Sequence, residues 1–177
     1  MKVVIDTNLL LIANGQHADV TPECITECVR RLQTMQKSGV VVIDDDYRIL
    51  SEYRNKTHPN QPKGVGDVFL KWLLRNVSNS ARVEQVGLTE TAKDLFAEFP
   101  DPELQPDFDA PDRKFAAVAH IHAESPPVWQ AADCKWLNWW PALHAKGVAV
   151  EFICPDDVSR FYQGKFPDTP VPELPPV

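Results

Sequence analysis

The chain contains 177 residues, of which 44% are hydrophobic, and it carries a formal net charge of −7. These values fit one globular domain with a substantial core, and the charge argues against a protein whose whole surface binds nucleic acid. No stretch approaches the roughly 18 consecutive apolar residues of a membrane span, and the amino terminus lacks the features of a secretory signal. We therefore expect a cytoplasmic protein that does not insert into a membrane.

Apolar runs predict five strands that alternate with helices, which is the pattern of an α/β domain with a parallel sheet. The run at 40–43 is uninterrupted, as expected for a parallel strand buried on both faces. The predicted strands, in chain order, are residues 3–5, 40–43, 82–86, 127–132 and 148–153. The predicted helices cover residues 9–13, 22–37, 47–56, 68–74, 89–99, 112–122, 136–146 and 155–162. The tail, 167–177, holds five prolines and is expected to be extended or disordered, outside a domain that covers 1–166.

The chain has four cysteines, Cys24, Cys28, Cys134 and Cys154, which are too few for a disulfide scaffold at this size. Cys24 and Cys28 are four residues apart on a predicted helix and could share a metal, but no second Cys or His pair has zinc-binding spacing. We therefore expect free, half-buried thiols in a reducing compartment.

The segment from Arg48 to Arg82 is basic, although the whole chain is acidic. It holds seven basic residues and two acidic ones, which gives a local charge of +5. Such a segment allows a phosphate-binding face on an acidic protein. It is equally typical of a solvated helical surface, and the charge alone does not distinguish the two.

Acidic residues directly follow three of the predicted strands: Asp6, Asp44 and Asp133. Because the carboxyl ends of parallel strands share one edge of a sheet, we expect these residues to converge, together with Asp112 at a helix start and Glu52 on the helix after the second strand. Carboxylates that converge repel one another unless a divalent cation binds them, and Mg²⁺ and Mn²⁺ prefer oxygen ligands. The set predicts metal-dependent phosphoryl chemistry, whereas Asp6 taken alone is also typical of a helix cap.

Asp6-Thr7-Asn8 after a strand, the segments 43–53 and 112–119, and Asp133 shortly before Trp136 occur in an order that resembles the PIN domain family. The resemblance covers residues 1–158. It implies a three-layer α/β/α fold with a mostly parallel five-stranded sheet. It also implies an endoribonuclease that cuts single-stranded or structured RNA with Mg²⁺ or Mn²⁺. Many relatives are toxins that pair with a protein antitoxin, and PIN domains often form homodimers.

By position, the resemblance implies four residues that are both metal ligands and catalytic acids: Asp6, Glu52, Asp112 and Asp133. Thr7 or Asn8 would orient Asp6 or a water on the metal by hydrogen bonding. Asp44 is the alternative second ligand, but we prefer Glu52 and expect Asp44 to cap the next helix and to lie behind the ligands.

Three basic side chains are candidates for contacts with substrate phosphates: Arg48, Arg113 and Lys135. Arg113 is equally well explained as part of a solvated pair with Lys114. Lys135 occupies a position where many PIN relatives have a further acid, so metal coordination around Asp133 would be leaner here. The same lysine would place a cation beside the site.

Aromatic and histidine side chains near these motifs have simpler explanations. Trp136, Trp139 and Trp140 could stack on bases, but packing in the core or in a subunit interface is more usual for such residues. His120 and His122 are two residues apart on a predicted helix, so they point in different directions and are expected to be structural.

Two other functions compete with the nuclease prediction. A PIN-like module could bind RNA or a protein without cutting it, which the lysine at position 135 favours and the retention of four acids opposes. An acid-nucleophile phosphatase would need a second Asp two residues after Asp6, where this chain has Asn8.

Overall fold

The computed structural model describes residues 1–176, and within them five parallel strands form a sheet that helices surround in a three-layer α/β/α arrangement. The strands of this sheet are β1 (Lys2–Ile5), β2 (Val40–Asp44), β3 (Val83–Val86), β6 (Val128–Gln130) and β7 (Val150–Phe152). Two short strands, β4 (Glu90–Ala92) and β5 (Leu95–Phe96), form a separate hairpin. The sheet has the order β3-β2-β1-β6-β7, and each neighbouring pair is parallel. The predicted fold class is therefore confirmed.

The helices are α1 (Thr7–Ala13), α2 (Pro22–Ser38), α3 (Arg48–Lys56), α4 (Val65–Asn76), α5 (Arg113–Ile121), α6 (Trp136–Ala145) and α7 (Pro155–Lys165). Helix α2 begins as its sequence predicts, because the Thr21 side chain accepts a hydrogen bond from the Cys24 N–H and Pro22 occupies the first helical position. Helix α5 packs on β1 and β2, and its fully buried Ala116, Ala117 and Ala119 allow a close approach to the sheet.

Helices α1 and α4 pack closely against each other. A Cβ atom at Gly66 would lie 2.1 Å from the Leu10 carbonyl oxygen, so glycine is required for this approach. The buried Asp67 next to it accepts hydrogen bonds from the His58 N–H at 2.8 Å and from the Asn14 side chain at 2.9 Å. These bonds fix the loop that leads into α4 against the end of α1.

The predicted helix at 89–99 is wrong, because the structure has an antiparallel hairpin of β4 and β5 there. Asp94 in the turn has a left-handed backbone (φ 57°), which Asp tolerates better than most residues. The Gln105 side chain holds the buried Phe96, accepting from its N–H at 2.8 Å and donating to its carbonyl at 3.2 Å. A side chain nine residues along the chain therefore makes the hydrogen bonds that the Phe96 backbone would make to neighbouring turns in a helix.

The expectation that all the cysteines are free thiols is also wrong. Cys24 on α2 and Cys154 after β7 form a disulfide, although 130 positions separate them in the sequence. Folding brings them together because the chain after β7 runs beside the start of α2, where the Asp157 carboxylate accepts a hydrogen bond from the Thr21 N–H at 2.7 Å. The other two cysteines are free and buried.

The proline-rich tail has no regular secondary structure over 167–176, and the Trp140 indole donates a hydrogen bond to the Glu173 carbonyl at 3.0 Å. The last residue of the tail, at position 177, lies outside the described residues. Across residues 1–176, no helix combines the length and the apolar character that crossing a membrane requires.

Candidate metal centre

A cleft of about 320 Å³ opens beyond the carboxyl ends of the central strands β1 and β6. The structure brings all four acids of the predicted site to this cleft, together with a fifth that the sequence interpretation missed. Its acidic lining consists of Asp6, Glu52, Asp109, Asp112 and Asp133.

Asp6 is positioned by the central strand of the sheet. The three residues before it, Val3 to Ile5, are fully buried, and Asp6 itself is only 3% exposed. One carboxylate oxygen accepts a hydrogen bond from the Asn8 N–H at 2.9 Å, so Asp6 caps α1 and lines the cleft at the same time. Burial, followed by the charge of Asp112, raises the pKa of Asp6 well above its usual range, although the Asn8 N–H opposes this effect.

Asp112 and Asp133 approach the cleft from different elements, Asp112 just before α5 and Asp133 shortly after β6. The Trp136 indole N–H donates to Asp112 at 3.3 Å, and the Lys135 backbone N–H donates to Asp133 at 3.1 Å. Burial, followed by the charge of Asp133, raises the pKa of Asp112 to about 7. Burial also raises the pKa of Asp133, while the Lys135 backbone N–H and ammonium oppose this rise.

Asp109 was not among the sequence candidates because it lies in an acidic, proline-punctuated loop without a strand before it. It stands three residues before Asp112, and a 3-10 turn over Ala110–Asp112 places residues at this spacing on one side. One oxygen from each of Asp109, Asp112 and Asp133 lies within 4.8 Å of the other two. The spacing from Asp109 to Asp112 was the signal that could have identified it.

Glu52 is held at the wall of the cleft by two side chains. Its Oε1 atom accepts from the Lys114 ammonium at 3.1 Å, and its Oε2 atom accepts from the Thr7 hydroxyl. The adjacent Tyr53 donates its buried hydroxyl to the Ile5 carbonyl, which ties α3 to the end of β1. Thr7 therefore orients Glu52, whereas we expected it to orient Asp6 or a metal-bound water.

Asp44 does not line the cleft. Its fully buried carboxylate accepts hydrogen bonds from the Arg48 N–H at 2.9 Å and from the Ile49 N–H at 3.0 Å, so it caps α3. Of the two alternative second ligands, the structure brings Glu52 to the cleft and keeps Asp44 behind it.

The donor set fits a hard divalent cation because every candidate ligand is a carboxylate oxygen. Five carboxylates line the cleft, whereas the ammonium groups at or near it belong to Lys56, Lys114, Lys135 and Lys165. Among the described residues, carboxylates therefore outnumber ammonium groups at this cleft. The raised pKa values of Asp6 and Asp112 have the same origin, namely burial of carboxylates close to one another.

The three predicted phosphate contacts are each engaged by the protein itself. Arg48 pairs with Asp46 at 2.7 Å, and the Lys135 ammonium pairs with Asp109 at 2.7 Å. Arg113 donates to three backbone carbonyls between positions 94 and 108. Their contact with phosphate stays a prediction. The exposed Lys56, one helical turn after Glu52, also lines the cleft and was not singled out.

Aromatic residues pack behind the acidic loop. Trp136 is fully buried, and its ring contacts Phe108 with centroids 5.0 Å apart, while Phe108 also packs on the partly buried Trp139 at 4.2 Å. Since Phe108 precedes Asp109 and Trp136 binds Asp112, this cluster positions both acids. Trp136 is therefore a packing residue in this structure.

The two histidines lie outside the cleft lining. His122 contacts the Glu84 carboxylate at 2.5 Å, and His120 contacts the Glu98 carbonyl at 2.9 Å.

Comparison of the chain with protein-family models, with curated proteins and with solved structures found no match. The resemblance to PIN domains stays a prediction based on the order of the motifs.

Proposed function

We propose that this protein is a PIN-like, Mg²⁺- or Mn²⁺-dependent endoribonuclease that hydrolyses phosphodiester bonds of single-stranded RNA. The observation that carries the proposal is the convergence of Asp6, Asp112 and Asp133, with Asp109 beside them, in one cleft at the carboxyl edge of a parallel sheet. Ligands of open α/β sheets bind at this edge. The all-oxygen donor set and its excess of negative charge support a divalent cation over a purely structural ion-pair network.

Asp6, Asp109, Asp112 and Asp133 are the residues that would hold the cation. When bound, Mg²⁺ or Mn²⁺ supplies a Lewis acid for the phosphate and lowers the pKa of a water. The protein contributes the fixed positions of these carboxylates, since backbone N–H groups hold Asp6 and Asp133 and an indole N–H holds Asp112.

Glu52 and the lysines complete the site. Thr7 and Lys114 each bind one oxygen of Glu52, and these two contacts hold its side chain in one rotamer at the cleft. The remaining lone pairs of the carboxylate stay available on the cleft side. The exposed Lys56 lines the cleft, and its ammonium would pair with a phosphate of an incoming strand. This arrangement gives an acidic cleft a local attraction for a polyanion.

The test compares cleavage of a fluorogenic single-stranded RNA by the wild type and by Asp112→Asn with Mn²⁺ present. We expect the variant to lose cleavage, because the amide removes an anionic ligand while it can still accept a hydrogen bond from Trp136. Asp107→Asn is the matched control, since Asp107 lies in the same loop but is exposed and does not line the cleft. Equal rates for wild type and Asp112→Asn would refute the proposal.

A second candidate function is a PIN-like module that binds RNA or a protein without cutting. It is favoured by the ammonium groups of Lys114 and Lys135, which already compensate Glu52 and Asp109. Calorimetric titration with Mn²⁺ separates the two: the nuclease requires binding that Asp112→Asn weakens, whereas no binding at millimolar Mn²⁺ would favour the module.

A further inference from the structure

A cluster of three cysteines lies where α2 meets the start of α7. Cys24 and Cys28 are one turn apart on α2, and Cys154 is the residue before α7. Their sulfur atoms all lie within 4.8 Å of one another, and the Cys28 sulfur is 3.9 Å from that of Cys154. All three residues are at most 4% exposed, and none of them lines the acidic cleft.

This spacing fits a metal ion with three sulfur ligands. Bonds of about 2.3 Å between a metal and each thiolate place the three sulfurs of a trigonal site about 4 Å apart. The separation of 3.9 Å between Cys28 and Cys154 already has this value. Cys24 reaches it when its bond to Cys154 is reduced, because two unbonded sulfurs move apart to van der Waals contact.

A separate cleft of about 320 Å³ gives cations a route to the cluster, and Cys24 and Cys154 form part of its wall. Glu27 and Asp157 in this wall are paired with arginines, which leaves Glu23 and Asp156 to attract a cation. The charged residues of the described chain that line this cleft are all acidic: Glu23, Glu27, Asp156 and Asp157.

We propose that reduction of the Cys24–Cys154 disulfide converts the cluster into a three-thiolate site for a soft monovalent ion of the Cu⁺ type. A dithiol reductant supplies two electrons and two protons, which yields two thiols and leaves the reductant as a disulfide. Metal binding then displaces the thiol protons of Cys24, Cys28 and Cys154. Thiolates select soft ions, and three sulfurs suit Cu⁺ better than Zn²⁺, which prefers four ligands.

Cys28 is the residue that distinguishes a metal site from a simple disulfide. Its sulfur lies 3.9 Å from that of Cys154, yet Cys28 is a free cysteine outside the disulfide. A disulfide therefore does not use Cys28, whereas a site with three sulfur ligands requires it. Disulfide formation and metal binding are mutually exclusive, because both require the sulfurs of Cys24 and Cys154.

The experiment uses the full chain, reduced with a dithiol and desalted without oxygen, and Cu⁺ supplied as its coloured bicinchoninate complex. We expect the reduced wild type to remove one Cu⁺ per chain from the chelator and the oxidised protein to remove none. Cys28→Ser should fail to compete with the chelator after reduction, while Cys134→Ser, which alters a buried thiol outside the cluster, should bind like the wild type.

Far-UV circular dichroism of each form keeps the result interpretable, and Cys28→Ser can be checked in its oxidised form because it retains the disulfide. Three outcomes overturn the proposal. The first is a reduced protein that stays folded but binds no Cu⁺. The second is a Cys28→Ser variant that competes with the chelator as well as the wild type does. The third is unfolding on reduction that Cu⁺ does not reverse in the circular dichroism spectrum.

Discussion

Asp112→Asn should stabilise the metal-free protein, although it should abolish cleavage. At about 1.4 kcal/mol per pH unit, a carboxyl whose pKa rises from 3.8 to about 7 costs the fold up to about 4 kcal/mol once the pH exceeds 7. This cost is shared with the neighbouring Asp133, and some solvent remains near the side chain. We therefore expect Asp112→Asn to raise the free energy of unfolding by about 1–3 kcal/mol at pH 8.

The sign of the pH dependence follows from the direction of the shift. A folded-state pKa above the unfolded value stabilises the fold at pH below about 4, and this stabilisation is lost as the pH rises through about 7. Asp6 and Asp133 are shifted in the same direction. Glu27, whose pKa is lowered to about 2, is ionised in both states above pH 6, so it does not affect this range.

Thermal melts in EDTA at pH 6 and pH 8 test this reasoning. The wild type should melt at a lower temperature at pH 8 than at pH 6, and Asp112→Asn should reduce that difference. For a chain of this size each kcal/mol corresponds to about 2–4 °C. Asp107→Asn, altered at an exposed carboxyl, should follow the wild type. A wild type that is more stable at pH 8, or a variant that is less stable there, would refute the reasoning.

Two further changes test how the site and its support are held. Lys114→Met removes the ammonium 3.1 Å from Glu52 and leaves this carboxylate without its charged partner. We therefore expect urea denaturation to show that the free energy of unfolding falls by about 1–3 kcal/mol. An unchanged urea midpoint would contradict this role of Lys114. Gly66→Ala places a Cβ 2.1 Å from the Leu10 carbonyl and should cost about 1–3 kcal/mol. Gly164→Ala is the control, because Gly164 lies on α7 and the new Cβ would meet no neighbouring atom within 4 Å. We expect this variant to be neutral or more stable by about 0.5–1 kcal/mol. Equal effects of the two glycine variants would show that the contact between α1 and α4 is not tight.

The parallel sheet could be predicted because its signals are local. Within the β-branched run at 40–43, residues 41–43 are fully buried in the structure. Asp6 directly follows β1, as the sequence indicates, and Asp44 is the last residue of β2. The hairpin of β4 and β5 could not be predicted, because the backbone of Phe96 is satisfied by the side chain of Gln105, nine residues along the chain, and no local pattern reveals this contact. The disulfide could not be predicted for a similar reason, because Cys24 and Cys154 are separated by 130 positions and only folding brings them together.

For the candidate site, the acids were easier to find than their partners. Asp6, Glu52, Asp112 and Asp133 were placed by strand ends and motif order, and all four line the cleft. The sequence could not show that Lys114 contacts Glu52, because the two residues belong to helices far apart in the chain. Arg113 looked available for phosphate, but it binds backbone carbonyls that only the folded loop supplies.

The central claim is metal-dependent phosphodiester cleavage at the acidic cleft, and single-turnover cleavage of an end-labelled single-stranded RNA tests it most directly. Wild-type protein should cut only when Mn²⁺ or Mg²⁺ is added, and its rate should saturate with the metal concentration. Asp6→Asn at the same metal concentration should cut no faster than the wild type in EDTA. Cleavage that persists in EDTA, or an Asp6→Asn variant as active as the wild type, would contradict the claim.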